Sequence, residues 1–229
     1  MNTVPFELGP IRPVDEADSL LIRTTRGCPW NRCEFCVNYK DMPFSLRALD
    51  DIKQDIVAAA KYYGNRTFET CFLQDGDSFL MKTDELVTLL TFLKQTFPTL
   101  NRISSYGRAQ TMVRKSAQEM QAISQAGLNK LYCGMESGSD KVLEKVNKGA
   151  TANDIVMSSR RAKEAGMLIS EFIILGLGGE ALWEEHARET ARVLSEIDPH
   201  FIRVLTIGVK PGSGLSQQMK AGAYTLQTE

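Results

Sequence analysis

Histidine is almost missing from this chain, with two among 229 residues, and no apolar run approaches the ~18 residues that a membrane span needs. The first absence leaves little material for an imidazole-built metal or catalytic centre. The second argues against a membrane-embedded function. Charge of one sign is lacking too: 27 Lys and Arg stand against 28 Asp and Glu, a formal net charge of -1. That balance excludes a nucleic-acid or membrane-surface binder working through bulk electrostatics. Low-complexity segments and blocks of like charge are absent. The opening stretch, MNTVPFELGPIRPVDEADS, carries acids and prolines instead of an apolar run, so it does not read as a signal peptide. A cytoplasmic protein follows as the expectation, in a reducing compartment where clustered cysteines serve as metal ligands or redox groups more than as disulfides.

What is present is a repeated unit, a short apolar strand-like run followed by an amphipathic helix-like run, with Gly or Pro at the joins. Strands are expected at Ser19–Thr24, Thr70–Gln74, Arg102–Tyr106, Lys130–Met135, Leu168–Leu175 and Phe201–Val209. Helices are expected near Asp50–Tyr63, Asp84–Phe97, Ser116–Ala126, Ala152–Ala165 and Trp183–Ile197. Ser116 and Glu119 form a capping-box pattern, and Gly64, Gly127 and Gly166 stand where left-handed helix ends belong. Pro98 and Pro199 stop the other two helices. Strict alternation implies a parallel sheet, because parallel strands need crossovers. A closed eight-fold barrel typically takes about 250 residues, so six units imply an open sheet or an incomplete barrel. Residues 1–18 read as an N-terminal extension and 19–229 as one core domain. In either architecture the chemistry belongs just after the strands.

The cysteines meet that expectation. Three of the five fall in TRGCPWNRCEFCVNYK, as Cys28-x4-Cys33-x2-Cys36, directly after the first strand. Three thiolates on one short loop suit a face of an iron–sulfur cluster or a zinc ion. Cys71 and Cys133 lie inside strands among Phe72, Leu73, Leu131 and Tyr132, where cysteine usually acts as a small buried hydrophobe. With both structural, a cluster has three protein ligands and one open iron, which a small molecule with its own amine and carboxylate can occupy.

On these residues the sequence resembles the radical S-adenosylmethionine (SAM) enzymes, over nearly its whole length and with an Elp3/MiaB-like core. That family's usual loop is Cys-x3-Cys-x2-Cys with an aromatic before the last cysteine. Phe35 holds the aromatic place here, and the first gap is one residue longer. The resemblance implies a partial (β/α)6 TIM-type barrel, a [4Fe–4S] cluster on Cys28, Cys33 and Cys36, and SAM as co-substrate. Asp75, Gly76 and Asp77 look like an altered form of the family's acidic turn for the methionine amine. GMESGSDKVLEKVNKG is similar to the stretch in Elp3/MiaB-like and coproporphyrinogen-type members, so Glu136 is expected at the ribose hydroxyls. Ile174 to Gly178, with Ile174 and Gly176 foremost, resembles the glycine-containing adenine contact, and Val209 falls in the region of a backbone contact. Ser104, Tyr106 and Arg108 stand where members touch the SAM carboxylate or the substrate. The implied activity is one-electron cleavage of SAM to methionine and a 5′-deoxyadenosyl radical that takes hydrogen from a substrate. The implied partner is a reduced donor such as flavodoxin or ferredoxin.

Competing readings exist for the same residues. The spacing is also that of plant-type ferredoxins, which would recruit Cys71 or Cys133 as fourth ligand of an electron carrier. GLGGEA, Gly176 to Ala181, formally fits a dinucleotide fingerprint with Glu196 about twenty residues on, but leaves the cysteines no task. His186 and His200 read as packed or exposed histidines and Trp30 as packing. Arg26, Arg32, Lys40, Arg108, Lys148 and Lys210 crowd the strand-end face, to balance the SAM carboxylate, bind an anionic substrate or dock an acidic electron donor, although each but Arg108 reads equally as ordinary surface charge. Substrate identity is not written in any of these motifs.

Overall fold

A computed structural model describes residues 4–227. Its main sheet has six parallel strands in the order β1(Leu20–Arg23), β4(Thr70–Gln74), β5(Arg102–Gly107), β6(Leu128–Glu136), β7(Leu168–Leu175) and β8(Phe201–Thr206). Between β1 and β4 a two-stranded antiparallel ribbon, β2(Thr25–Arg26) and β3(Ser45–Leu46), brackets the cysteine loop. The crossovers are α1(Leu49–Tyr63), α2(Thr83–Thr96), α3(Ala109–Met112) with α4(Ala117–Ala126), α5(Asp140–Lys145) with α6(Ala152–Glu164), and α7(Gly179–Ile197). A short α8(Gly214–Lys220) follows β8. Sequential order with no return strand leaves the sheet unclosed, as six units require.

The helices pack on one face. Cys71 and Leu73 of β4, Ile103 of β5 and Leu131 and Cys133 of β6 meet Ile52, Ile56, Leu86, Leu89, Leu90, Leu93, Met120 and Ile123 there. Intervening residues point to the other, inner face, so the central strands are buried on both sides. Phe72, Tyr106, Tyr132 and Phe172 meet edge-on or tilted there, with centroids 5.1 to 6.2 Å apart.

The described part of the segment before β1 packs against the sheet. Asp15 and Glu16 sit in a single 3₁₀ turn that enters the inner face from the N-terminal ends of the strands. Glu16, fully buried, accepts hydrogen bonds from Ser104 Oγ at 2.8 Å and Tyr132 Oη at 2.6 Å, and from Ser19. Asp15 takes Lys130 at 3.0 Å and Arg203 at 2.6 Å. Glu16 thereby floors the sheet with its donors in place, since a carboxylate buried without them would be strongly unfavourable.

Helix ends follow the chemistry expected of them. Ser116 accepts from the Glu119 amide while Glu119 reaches back to the Ser116 amide. An unforeseen second box joins Thr151 and Asp154 at the start of α6. α7 begins four residues before the expected Trp183, because the chain is already helical ahead of a break at Leu182 (φ -128°). β8 ends at Thr206, three residues short of expectation, because the backbone leaves the ladder after Ile207 donates to Leu175. Both faces of this edge strand are largely exposed. No helix among the described residues is long and apolar enough to cross a membrane.

One buried acid makes this architecture pH-sensitive. Glu171 on β7 faces α6 and accepts from Ser159 Oγ at 2.6 Å, and burial pushes its carboxyl up to about 8. The folded state therefore holds a proton that the unfolded chain releases near 4.5, so stability falls as pH rises from about 5 to 8, by at most roughly 1.4 kcal/mol per pH unit. Glu171→Gln should lack that slope in urea unfolding between pH 6 and 8, above the range in which buried Asp77 titrates. A variant with the wild-type slope contradicts the assignment.

Candidate active site

A cleft of about 380 Å³ opens at the C-terminal ends of the strands, the position at which open and barrel-like parallel sheets carry their chemistry. Cys28, Cys33 and Cys36 form one wall with Phe35 and Tyr39. Gly76 after β4 lines it beside Cys28, and Tyr106 and Arg108 at the end of β5, Glu136 at the end of β6 and Ile174 on β7 complete it. All three cysteines are free thiols of intermediate burial. Burial pushes the Cys33 and Cys36 thiols up, while Lys148 pulls both down.

Local packing explains how the loop is held. Gly76 donates its amide to Gly27 O at 3.1 Å. A Cβ on Gly76 would lie 2.9 Å from both Cys28 Cα and Gly27 O, so only glycine allows the strand end to approach the cysteine loop this closely. On the far side, Trp30 Nε1 donates to Asn147 O at 2.7 Å, and Glu34 N donates to Val146 O at 2.9 Å. Trp30 also packs against Gly149, whose φ is +71° and whose absent side chain would sit 2.5 Å from the indole.

Glu136 sits in a tight turn. Its φ is +62°, unusual for a residue with a side chain, and the next amide, Ser137 N, donates back to Met135 O at 2.8 Å. Its Oε1 accepts from Lys148 Nζ at 2.8 Å. Burial disfavours the Lys148 ammonium, yet Glu136 and Cys33 outweigh that and hold it above the ordinary lysine value. Gly134 makes room, since a Cβ there would strike Glu136 Oε1 and lie 2.9 Å from Lys148 Nζ. Lys148 is therefore a cleft group and no surface charge. Its twelve-residue separation from Glu136 matches no local period, so only the fold brings the two together.

Other expected residues lie elsewhere. Asp75 is fully buried beneath the cleft, where Arg23 approaches its Oδ2 at 2.6 Å and Gly27 N at 3.1 Å. Asp77 is also sealed below. Burial pushes its carboxyl up to about 6, against the pull of Thr111 and the Arg108 guanidinium. The acidic turn thus presents glycine backbone to the cleft and turns both carboxylates away, because Arg23 at the end of the adjacent strand captures the first. Ser104 belongs to the floor through Glu16. Gly176 and Val209 do not line the cleft. Ile207, against which Gly176 packs, and Gly208 line it instead.

The remaining charges sort clearly. Arg26 pairs with Glu7, Arg32 stacks on Trp30, and Lys40 donates to Asn31 O. Lys210 and Arg108 line the cleft, and Arg108 Nη2 is buried without a partner. Glu196 is engaged by Arg192 on the exposed side of α7, away from the Gly176 turn that the dinucleotide pattern would pair it with.

The donor set fits a multinuclear cluster better than a single ion. Among the described residues no three His, Cys, Asp or Glu side chains converge on one metal position. Three thiols on one short loop lining the same cleft suit separate irons of one cluster. Cys71 and Cys133 do not reach the cleft, and burial raises both thiols well above their ordinary value.

A parallel α/β core that gathers three cysteines and the ends of its central strands around one cleft defines a class, a partial-barrel enzyme core with its cofactor site at the strand ends. Residues 22–191 match the radical SAM superfamily, and the chain belongs to it. The heme chaperone HemW of Bacillus subtilis is 22% identical over 179 residues, 78% of this chain and 47% of that protein. The uncharacterized methyltransferase PH0819 of Pyrococcus horikoshii is 24% identical over 224 residues, 94% of this chain and 46% of that protein. The fold is similar to that of the radical S-adenosylmethionine methyltransferase TsrM from Kitasatospora setae, solved with cobalamin and a [4Fe-4S] cluster. The TM-score is 0.67 at 19% identity, over 90% of this chain and 41% of that one. The chain spans about half the length of the two relatives.

The Trp30 clamp is open to direct test. Gly149→Ala should cost at least about 2 kcal/mol in urea unfolding, through the positive φ and the indole contact together. Gly149→Ala made in a Trp30→Ala background should cost clearly less. Equal costs in the two backgrounds contradict the contact.

Proposed function

We propose that Cys28, Cys33 and Cys36 hold a [4Fe–4S] cluster and that the cleft binds S-adenosylmethionine beside it, for a radical reaction on a substrate held in the same cleft. The observation that carries this reading is the meeting of the three free thiols with Gly76, Arg108, Glu136 and Ile174 around one cavity. Bound there, the cluster would supply one electron to the sulfonium, giving methionine and a 5′-deoxyadenosyl radical able to take a hydrogen atom from substrate.

The protein's own share is positioning. Glu136, fixed by Lys148, offers carboxylate oxygens to the ribose hydroxyls. The Arg108 guanidinium, with its unpartnered Nη2, takes the SAM carboxylate, and the Gly76 backbone lets the methionine end approach Cys28. The backbone around Ile174 and Ile207 meets the adenine, with Phe35 closing the loop side. Tyr106, Tyr132, Phe172 and Leu205 line the remainder with mostly apolar surface and keep water from the reacting centre. A reduced carrier of the flavodoxin or ferredoxin kind supplies the electron in the cytoplasm.

The test is anaerobic reconstitution with iron and sulfide, followed by SAM and dithionite and a chromatographic assay for 5′-deoxyadenosine. Wild-type protein should form it and Cys33→Ala should not. Glu136→Ala should need about tenfold more SAM for the same rate. A fully loaded protein that yields no 5′-deoxyadenosine overturns the proposal.

A further inference from the structure

His186 lies on α7, outside the cleft, and 6% of its surface is exposed. Its Nε2 stands 3.0 Å from Ile174 O, and its Nδ1 stands 2.8 Å from Ser137 Oγ. A carbonyl can only accept, so Nε2 carries the proton and Nδ1 accepts from the Ser137 hydroxyl. The Ser137 oxygen in turn accepts from Ser139 N at 3.0 Å. The imidazole thereby bridges the end of β7 and the turn that carries Glu136.

That turn needs external support. Glu136 holds a left-handed backbone, which persists only where its surroundings over-determine it. Besides the Lys148 ion pair on Glu136 itself, α7 supplies supports to the residues that follow. Gly138 N donates to Thr190 Oγ1 at 3.0 Å, and Ser139 Oγ donates to Glu185 at 2.8 Å. Gly138 itself presses on the helix backbone, where an added Cβ would strike Glu189 O and lie 2.8 Å from Thr190 Cα. Among these contacts, only His186 also grips the neighbouring strand end.

We propose that His186 is a positioning residue for the nucleoside half of the cleft, fixing the spacing between the Glu136 carboxylate and the Ile174 backbone by bonding both strand ends at once. The inference rests on the SAM reading of the cleft. It separates the nucleoside end of the cleft from the methionine end, which is read as built on Gly76 and Arg108.

The test is equilibrium dialysis of 5′-deoxyadenosine and of methionine against cluster-reconstituted protein. His186→Asn keeps an acceptor facing Ser137, His186→Gln keeps a donor facing Ile174, and Ser137→Ala removes the hydroxyl with the least change in volume. Each should weaken 5′-deoxyadenosine binding about tenfold while methionine binding stays within about twofold. Equal weakening of both ligands marks a merely structural role and overturns the inference, as does unchanged nucleoside binding in Ser137→Ala and His186→Asn. Wild-type protein that binds methionine but not 5′-deoxyadenosine overturns the reading beneath it as well.

Discussion

The arrangement depends on one close approach, that of the cysteine loop to the end of the neighbouring strand at Gly76. Arg23 closes β1 and reaches across to Asp75, the first residue after β4, and both are buried. Removing Arg23 would strip the buried Asp75 carboxyl of its charged partner, which makes this pair a strong determinant of how the two strand ends meet. Gly27 lies within the same contact, donating to Asp75 and accepting from Gly76. Cys28 follows immediately, so the first thiol is placed by the sheet and not by the loop's own preferences. Glu7 adds salt bridges to Arg23 and Arg26 and ties the segment before β1 to the same corner.

The opposite side of the cleft is governed by a buried ion pair on a strained turn. Glu136 and Lys148 come from opposite ends of a thirteen-residue stretch that folds back through α5. Their pairing lets a carboxylate stand beside three thiols without an unpaired charge in low dielectric. The same stretch and the residue after it supply Asn147 and Gly149 to Trp30. The group read as a ribose ligand and the clamp on the cysteine loop are therefore built on one continuous segment, which links the two halves of the proposed site. Radical chemistry asks for this kind of placement, since its rate depends on holding few reactive atoms in a fixed order.

Much of the fold was legible because β-α alternation is periodic and its punctuation is chemical. The capping box at Ser116, the glycine ends and the prolines each carry a local mechanism, and the six sheet strands follow from apolar runs of the right length. The cysteine loop was legible for a different reason, its dense spacing after a strand. What the sequence hid was direction. DGD reads as an acidic turn facing a ligand, yet Asp75 turns to Arg23, a partner fifty-two residues away that no spacing announces. Ser104 looked like a cleft residue because Tyr106 and Arg108 are, but it sits lower on the strand, within reach of Glu16. Lys148 and His186 passed for ordinary side chains because their partners lie on other elements. Val209 was misplaced by a strand that ends three residues early, where the last ladder bond goes to Leu175.

The central claim is that three thiols here hold a four-iron cluster with one iron left open for SAM. Low-temperature electron paramagnetic resonance of the reduced, anaerobically reconstituted protein tests it most directly, alongside iron analysis. The account predicts about four irons per chain, a reduced-cluster signal that changes shape when SAM is added, and loss of that signal in the triple Cys28, Cys33 and Cys36 alanine variant. A reduced signal unaltered by SAM, in protein that carries its full complement of iron, would contradict it.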